Sequence, residues 1–161
     1  MELKLLKEND PVLRNVSVAW DFTTDGDPTE LVKAMTKVMF ENNGIGLAAA
    51  QVGVLKRVLI MGTPEHLIAC INPEIVNAEG EDKSLEGCLS FPELWLNVKR
   101  PSTVNVRYQS VMGETMEQVL TGLKSRIFQH ELDHLNGICF DTRVGPVALD
   151  LAKEKRRRKS R

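Results

Sequence analysis

The stretch QHELDHLNG, residues 129–137, places two histidines four residues apart, with a glutamate directly after the first. Four residues make about one turn of an α-helix, so His130 and His134 would project from one helix face, close enough to bind one ion. The alternative is an amphipathic helix that carries two histidines without any ligand. The spacing favours a metal site with Glu131 beside it.

The neighbouring residues predict that this motif lies on a long helix. Helical periodicity runs through LKSRIFQHELDHLN, residues 123–136, and Gly137 is suited to follow the last turn. Residues that precede the histidines on the same face would line any pocket that this face borders. The face consists of Leu123, Ile127, His130, Glu131 and His134, with Arg126 at its margin.

A second helix is predicted earlier in the chain. Asp27 and Pro28 are suited to begin a helix over TELVKAMTKVMFENNG, which Asn43 and Gly44 would end. One face of this helix is apolar, and we expect it to pack in the core. That face consists of Leu31, Met35, Val38 and Met39.

Strands are predicted in the middle of the chain. Between residues 56 and 120, short apolar or alternating runs are separated by Gly, Pro and Asn, a pattern typical of several short antiparallel strands. The runs are RVLIM, HLIACI, EIVNA and TVNVRYQ, and VMGE at 111–114 is suited to a hairpin turn. The predicted fold is α+β, a single domain of antiparallel strands around a central helix that carries the HELDH motif.

Length and composition limit the class of protein. A chain of 161 residues with 42% hydrophobic and 27% charged residues is ordinary for one soluble globular domain. The N-terminus, MELKLLKENDP, reaches charged residues before an apolar run of signal-peptide length forms, and no stretch has the length of a membrane span. An odd number of cysteines favours a reducing cytoplasm over a disulfide framework. We therefore expect a cytoplasmic protein that does not enter a membrane.

The C-terminus differs from the rest of the chain in charge. The segment PVALDLAKEKRRRK predicts a last helix with a short apolar stripe. The final nine residues, KEKRRRKSR, carry a net charge of +6, whereas the first 152 residues carry −7. This end is either a frayed, solvated terminus or an arm that binds the phosphates of a nucleic acid.

A catalytic metal needs a third ligand besides the two histidines. Zincin peptidases place it downstream, as a further His or as a Glu about twenty residues on. No His follows His134, and Glu154, at the second of these positions, lies in the basic tail. Upstream, Cys88 is a candidate in the run EGCLS, whereas Cys70 and Cys139 are typical of inert buried cysteines. The run GIGLAAAQVG, residues 44–53, taken alone, is equally well a tight turn between a helix and a strand.

Taken together, the runs GIGLAAAQ, EGCLS and QHELDH, in this order, resemble the three signature motifs of the peptide deformylases. The resemblance spans roughly residues 5–145. That family removes the N-formyl group from the initiator methionine of new chains, with release of formate, in bacteria, organelles and some phages. The resemblance implies that Cys88, His130 and His134 are the metal ligands.

The resemblance also implies the other site residues. Glu131 would be catalytic, while Gln51 and the backbone N–H of Leu89 would donate to the reacting carbonyl oxygen. A thioether side chain needs an apolar pocket, and an extended substrate would pair with backbone beside it. The implied substrate contacts are Gly44, Ile45, Gly46, Leu123, Ile127 and Glu86.

Cofactor, partners and organisation follow from the same resemblance. It implies one divalent metal, Fe(II) in the native enzyme, with Ni, Co or Zn able to replace it. The substrates would be N-formylmethionyl nascent peptides in the cytoplasm of a bacterium or of a phage host. Residues 1–145 would form the catalytic domain, and the short basic helix or tail of residues 146–161 would contact the ribosome.

Three positions bear on how closely the chain follows this family. Trp95 stands where many bacterial members carry an Arg near the substrate chain, and Arg126 replaces a residue that is often apolar at the pocket edge. Preference for residues beyond methionine is therefore expected to differ. Arg100 either pairs with Glu86 behind the metal or forms a plain surface pair with it.

Two other functions are compatible with the motif. One is a zincin-like peptidase whose ligands are His130, His134 and Glu154. The other is a ribosome-associated binding module whose metal is structural, in which Glu131 would have no catalytic role.

Overall fold

Seven strands form two antiparallel sheets in the structure, a computed structural model that describes residues 1–160. The larger sheet has five strands in the order β1-β2-β3-β6-β7, and the smaller consists of β4 and β5. The strands are β1 (Gly46–Ala48), β2 (Val58–Thr63), β3 (His66–Glu79), β4 (Asp82–Cys88), β5 (Phe91–Arg100), β6 (Thr103–Gln109) and β7 (Thr115–Thr121). The helices are α1 (Thr29–Glu41), α2 (Gly122–Leu135) and α3 (Pro146–Lys159), and three 3-10 turns lie at Pro11–Arg14, Ala49–Val52 and Phe140–Arg143. The predicted α+β fold is confirmed.

The predicted strand runs HLIACI and EIVNA are one strand, β3. Asn72, in the predicted break between them, adopts a positive φ of 52°, and the register with β6 shifts across it, between Ile71 and Glu74. Its side chain replaces the lost ladder bonds, since it accepts from the Trp20 N–H at 2.8 Å and donates to the Gln109 side chain at 2.8 Å. The strand therefore bends at a bulge instead of ending there.

The two other local predictions hold with small changes. The hairpin at 111–114 is present between β6 and β7, where the Ser110 N–H bonds the Glu114 carbonyl at 2.8 Å. Helix α1 begins at Thr29, and Asp27 caps it from outside by accepting from the Thr29 N–H at 2.9 Å. The predicted core face of α1 is buried. Local patterns were sufficient for these elements because their bonds are local.

Helix α2 is the central helix that the sequence predicts. It packs against β1, β2 and β7, and Phe128, Leu132 and Leu135 lie in a core cluster with side chains of the five-stranded sheet. Gly137 follows the helix with φ of 72°, and a Cβ at this position would lie 2.6 Å from the Arg14 carbonyl oxygen. The positive φ and the close approach both favour glycine directly after the last turn of α2.

Helix α3 packs on the smaller sheet. Leu149 and Ala152 contact a third apolar cluster that includes Phe91, Leu94 and Phe140. Beyond this short stripe the helix is polar, and Arg156 pairs with Glu8 at 2.6 Å. The predicted last helix is confirmed as far as Lys159. No helix among the described residues is long and apolar enough to cross a membrane.

Candidate metal centre and active site

The three predicted metal ligands come together from two parts of the fold. Cys88 ends β4, and His130 and His134 lie one turn apart on α2. One ligand atom from each lies within 4.8 Å of the other two, and the Cys88 Sγ is 3.4 Å from the His134 Nε2. Glu154 does not join this cluster, because its carboxylate pairs with Arg157 and Arg158 on α3. The structure brings Cys88, not Glu154, to the histidines.

The donor atoms of this cluster suit a transition metal. The His130 Nδ1 lies 2.9 Å from the Glu86 Oε1, so this carboxylate fixes the ring and leaves Nε2 as the ligand atom. Burial lowers the pKa of His134 well below its usual value, whereas at His130 burial is outweighed by the charge of Glu131 and the bond to Glu86, which raise the pKa. One cysteine sulfur and two imidazole nitrogens favour a transition metal over magnesium or calcium.

Glu131 lies beside the three predicted metal ligands and is not part of their cluster. Its carboxylate is buried, and Oε1 has no hydrogen-bond partner among the described residues. Burial raises the pKa of Glu131 to about 7. A Cβ at Gly46 would lie 2.7 Å from the Glu131 Oε2, so the carboxylate rests directly against β1. A buried carboxyl with this pKa can take up and return a proton near neutral pH.

Gln51 is oriented by the turn that carries it. The run GIGLAAAQVG forms β1 and then a 3-10 turn, so it is neither a plain turn nor a loop. The Gln51 Oε1 accepts from the Ala48 N–H at 2.9 Å, while Nε2 donates to the Ser90 Oγ at 3.2 Å and lies 3.7 Å from the Cys88 Sγ. The amide N–H group is therefore directed toward the metal ligands. Ser90 was not predicted, because a serine in a turn carries no distinct signal.

Glu86 is the centre of a buried set of charges behind His130. It accepts from Arg100 at 2.6 and 3.0 Å and from Arg126 at 2.5 Å. Burial alone would raise the pKa of Glu86, but the hydrogen bonds with His130 and Arg100 lower it to about 2. The Arg100 and Glu86 side chains are only 4% and 5% exposed, so this is the pair behind the metal and not a surface pair.

The set of buried charges continues to Asp133 and Arg143, which no sequence pattern indicates. Arg100 also bonds Asp133 at 3.0 Å, and Arg143 bonds the other oxygen of Asp133 at 2.7 Å. Asp133 and Arg143 are charged residues on a helix and in a turn, a pattern that ordinarily indicates a solvated surface.

A pocket of about 570 Å³ opens in front of Glu131 and Cys88. Apolar side chains form much of its rim, and several are exposed there, including Ile45 and Leu123. All predicted substrate contacts line it, namely Gly44, Ile45, Gly46, Leu123, Ile127 and Glu86. Trp95 also lines it, with its ring over Gly87, where a Cβ would lie 2.5 Å from the ring. Glu86 borders this pocket with both carboxylate oxygens already bonded.

A cysteine and two histidines close enough to share an ion, with a buried glutamate at the mouth of an apolar pocket, are typical of metal-dependent hydrolases. The family described as Polypeptide deformylase matches residues 2–148. The chain belongs to this family, whose members remove the N-formyl group from the N-terminal methionine of newly made polypeptides and release formate. The resemblance seen in the three sequence runs is confirmed, and the chain is a metal-dependent hydrolase that acts on nascent formylated peptides.

Individual relatives agree with this assignment. A peptide deformylase of Thermotoga petrophila is 41% identical over 148 residues, which cover 91% of this chain and 89% of the relative. The crystal structure of a peptide deformylase from Synechococcus elongatus in complex with actinonin has a TM-score of 0.89 and 36% identity, over 96% of this chain and 85% of that one. A Met-Ala-Ser-bound class I type b peptide deformylase from Acinetobacter baumannii has a TM-score of 0.84 and 34% identity, over 89% and 99%.

Proposed function

We propose that Cys88, His130 and His134 hold one divalent ion and that Glu131 moves the proton in formamide hydrolysis. The observation that carries the proposal is the convergence of these three ligand atoms within 4.8 Å, next to a buried carboxyl. An ion bound there supplies a strong nucleophile at neutral pH by lowering the pKa of its water.

Glu131 serves both halves of the reaction. It accepts a proton as the water oxygen bonds to the formyl carbon, and it gives the proton to the amine nitrogen as the C–N bond breaks. Formate leaves, and the free N-terminal amine remains on the peptide. The buried position of Glu131, which raises its pKa to about 7, supports this role.

Gln51 and Leu89 stabilise the charge that develops on the carbonyl oxygen. The Gln51 Nε2 is directed to the site by the bond between its Oε1 and the Ala48 N–H. Leu89 follows Cys88 in the turn between β4 and β5 and lines the pocket, and its backbone N–H is the second proposed donor to the same oxygen. Such a donor, fixed before the reaction begins, typically contributes about 3 kcal/mol to transition-state stabilisation.

The substrate binds along β1 with its methionine in the apolar pocket. β1 is an edge strand of the larger sheet, so one side of its backbone is free to pair with an extended peptide beside Gly44 and Gly46. Ile45, Leu123 and Ile127 border the space for the thioether. The Acinetobacter baumannii structure is described as Met-Ala-Ser-bound, which supports a methionine at the first position.

Fe(II) is the proposed native metal, with Ni, Co or Zn able to occupy the site in a preparation. A donor set of one sulfur and two nitrogens is compatible with each of these four metals. A thiolate ligand also makes an iron form sensitive to oxidation, so activity should fall in air and persist under anaerobic purification. Metal analysis of protein purified without air tests the identity of the ion.

The basic C-terminal helix is proposed to contact the ribosome. The proposed location of the chain is therefore the cytoplasm, where formylated nascent peptides are made. In this scheme residues 1–145 are the catalytic domain and residues 146–161 the ribosome contact. The +6 charge of the last nine residues supports binding to RNA phosphates. Deleting residues 153–161 should abolish co-sedimentation with ribosomes at low salt, and unchanged co-sedimentation at both low and moderate salt would contradict the proposal.

Formate release from a formyl-Met-Ala-Ser peptide tests the roles directly. We expect release by wild type, metal loss with no release in Cys88→Ala, and metal retention with little release in Glu131→Gln. Glu154→Ala is the control and should resemble wild type. Metal retention in Cys88→Ala with metal loss in Glu154→Ala would support a zincin-like site, and an active Glu131→Gln would contradict the catalytic role.

A further inference from the structure

Arg126 connects the two parts of the fold that supply the metal ligands. It lies on α2 one turn before His130, and its side chain is 7% exposed. Nη1 donates to the Glu86 Oε2 at 2.5 Å and to the Val98 carbonyl at 2.8 Å. Nη2 donates to Asp82, at 2.8 Å to the carbonyl and 3.2 Å to Oδ2. All of these acceptors belong to the β4–β5 hairpin.

The two carboxylate oxygens of Glu86 bond His130 and two arginines. Oε1 faces the His130 Nδ1 at 2.9 Å and accepts from the Arg100 Nη2 at 3.0 Å. Oε2 accepts from the Arg100 Nε at 2.6 Å and from Arg126. Arg100 is shared with Asp133, whereas Arg126 bonds nothing in α2 outside its own helix backbone. Arg126 is therefore the donor that holds Glu86 from the side of α2, whereas Arg100 holds it from β5 of the hairpin.

The position of Cys88 depends on how firmly Glu86 is held. The two residues are separated by Gly87, and the register between β4 and β5 shifts between them. A bulge that contains glycine leaves the chain after it with more freedom than a regular ladder does. An anchored Glu86 limits this freedom and orients the His130 ring at the same time.

We propose that Arg126 is a positioning residue of the metal site, which acts through Glu86 to set the affinity for the metal. The proposal rests on the proposed ligand roles of Cys88, His130 and His134. Partners behind a metal ligand typically alter metal affinity by about 10- to 100-fold when they are removed. We expect a loss of this size in Arg126→Met, and a smaller one in Arg126→Lys, which keeps the charge but offers fewer directed donors.

The test uses the full-length chain loaded with Co²⁺ and titrated with a chelator of known cobalt affinity. The thiolate-to-cobalt absorption band reports the Cys88–metal bond in the absence of substrate. Arg107→Met is the matched control, because Arg107 also bridges two carboxylates, Glu117 at 2.7 Å and Glu74 at 3.0 Å, but on an exposed sheet face. This control should match wild type in cobalt affinity.

A double-mutant cycle with Glu86→Gln separates positioning from general destabilisation. If Arg126 acts through Glu86, Arg126→Met should weaken cobalt binding less than about twofold further in the Glu86→Gln background. An equal loss in both backgrounds, or wild-type affinity in Arg126→Met, would overturn the proposal. If Arg126→Met does not fold, cobalt affinity is measured in the same cycle with Arg126→Lys in its place, and the same two outcomes apply. Failure of the wild-type chain to show the thiolate band would instead contradict the proposed ligands.

Discussion

Gly46→Ala should impair the reaction by displacing the carboxylate of Glu131, the proposed catalytic group. The alanine Cβ would lie 2.7 Å from the Glu131 Oε2 and 2.7 Å from the Ile127 Cγ2, whereas ordinary contact begins at 3.4 Å. Gly46 does not adopt a positive φ, so the alanine backbone is unstrained and the effect comes from these two contacts. Glu131 and Ile127 must each move by roughly 0.7 Å, because the 2.7 Å contacts have to lengthen to ordinary van der Waals distance.

The expected loss follows from the size of this movement. A misplacement of about 1 Å at a reacting group costs about 10²-fold in rate. The smaller shift here should lower kcat by about 30-fold, which corresponds to about 2 kcal/mol. The metal ligands are untouched, so bound metal should remain at the wild-type level.

Formate release from formyl-Met-Ala-Ser at matched metal content measures the effect. Gly145→Ala is the control, because a Cβ there meets nothing within 4 Å. A rise in KM with unchanged kcat would mean that the alanine blocks the substrate on β1 and not the carboxylate. Activity within about twofold of wild type would refute the placement of Glu131 against Gly46.

Three further outcomes are expected. Gln51→Ala should lower kcat by about 10²-fold with bound metal unchanged, because one fixed donor to the oxyanion is lost; steady-state kinetics and metal analysis check this. After metal removal by a chelator, formate release should stop and Cys88 should be alkylated at pH 8, whereas bound metal should protect it. Cys139, whose pKa is raised by burial to about 11, and the buried Cys70 should stay unlabelled. Peptide mass mapping identifies the labelled cysteine. Phe128→Ala should cost about 3–5 kcal/mol of unfolding free energy in denaturant titrations, because the ring is fully buried.

Local patterns carried most of the fold prediction. The helix of the HELDH motif, its stop at Gly137 and the hairpin at 111–114 depend on residues within a few positions of one another. The break predicted within β3 was wrong because Asn72 finds partners 52 and 37 residues away, in Trp20 and Gln109. A sequence pattern shows that Asn favours a turn, but not that distant groups will stabilise a bulge in its place.

The residues of the proposed metal site follow from the sequence in two unequal parts. The spacing of His130 and His134 indicates two ligands on one helix face by geometry alone. Cys88 is 46 residues from His134, and its spacing indicates nothing; only the resemblance to a family assigned it. Arg100, Arg126 and their acidic partners have the composition of a surface, and their burial follows from contacts between elements that no local pattern reveals.

These buried charges lie where the fold is least constrained by its backbone. The β4–β5 hairpin shares no ladder with the five-stranded sheet, so its position relative to α2 depends on side chains. Apolar contacts such as Phe91 with Phe140, whose ring centroids are 5.4 Å apart, resist separation but tolerate sliding. Ion pairs with two or more directed bonds fix both distance and direction. Since a metal site needs its cysteine and histidines in one geometry, the charges between hairpin and helix serve position more than net stability, which buried ion pairs seldom increase.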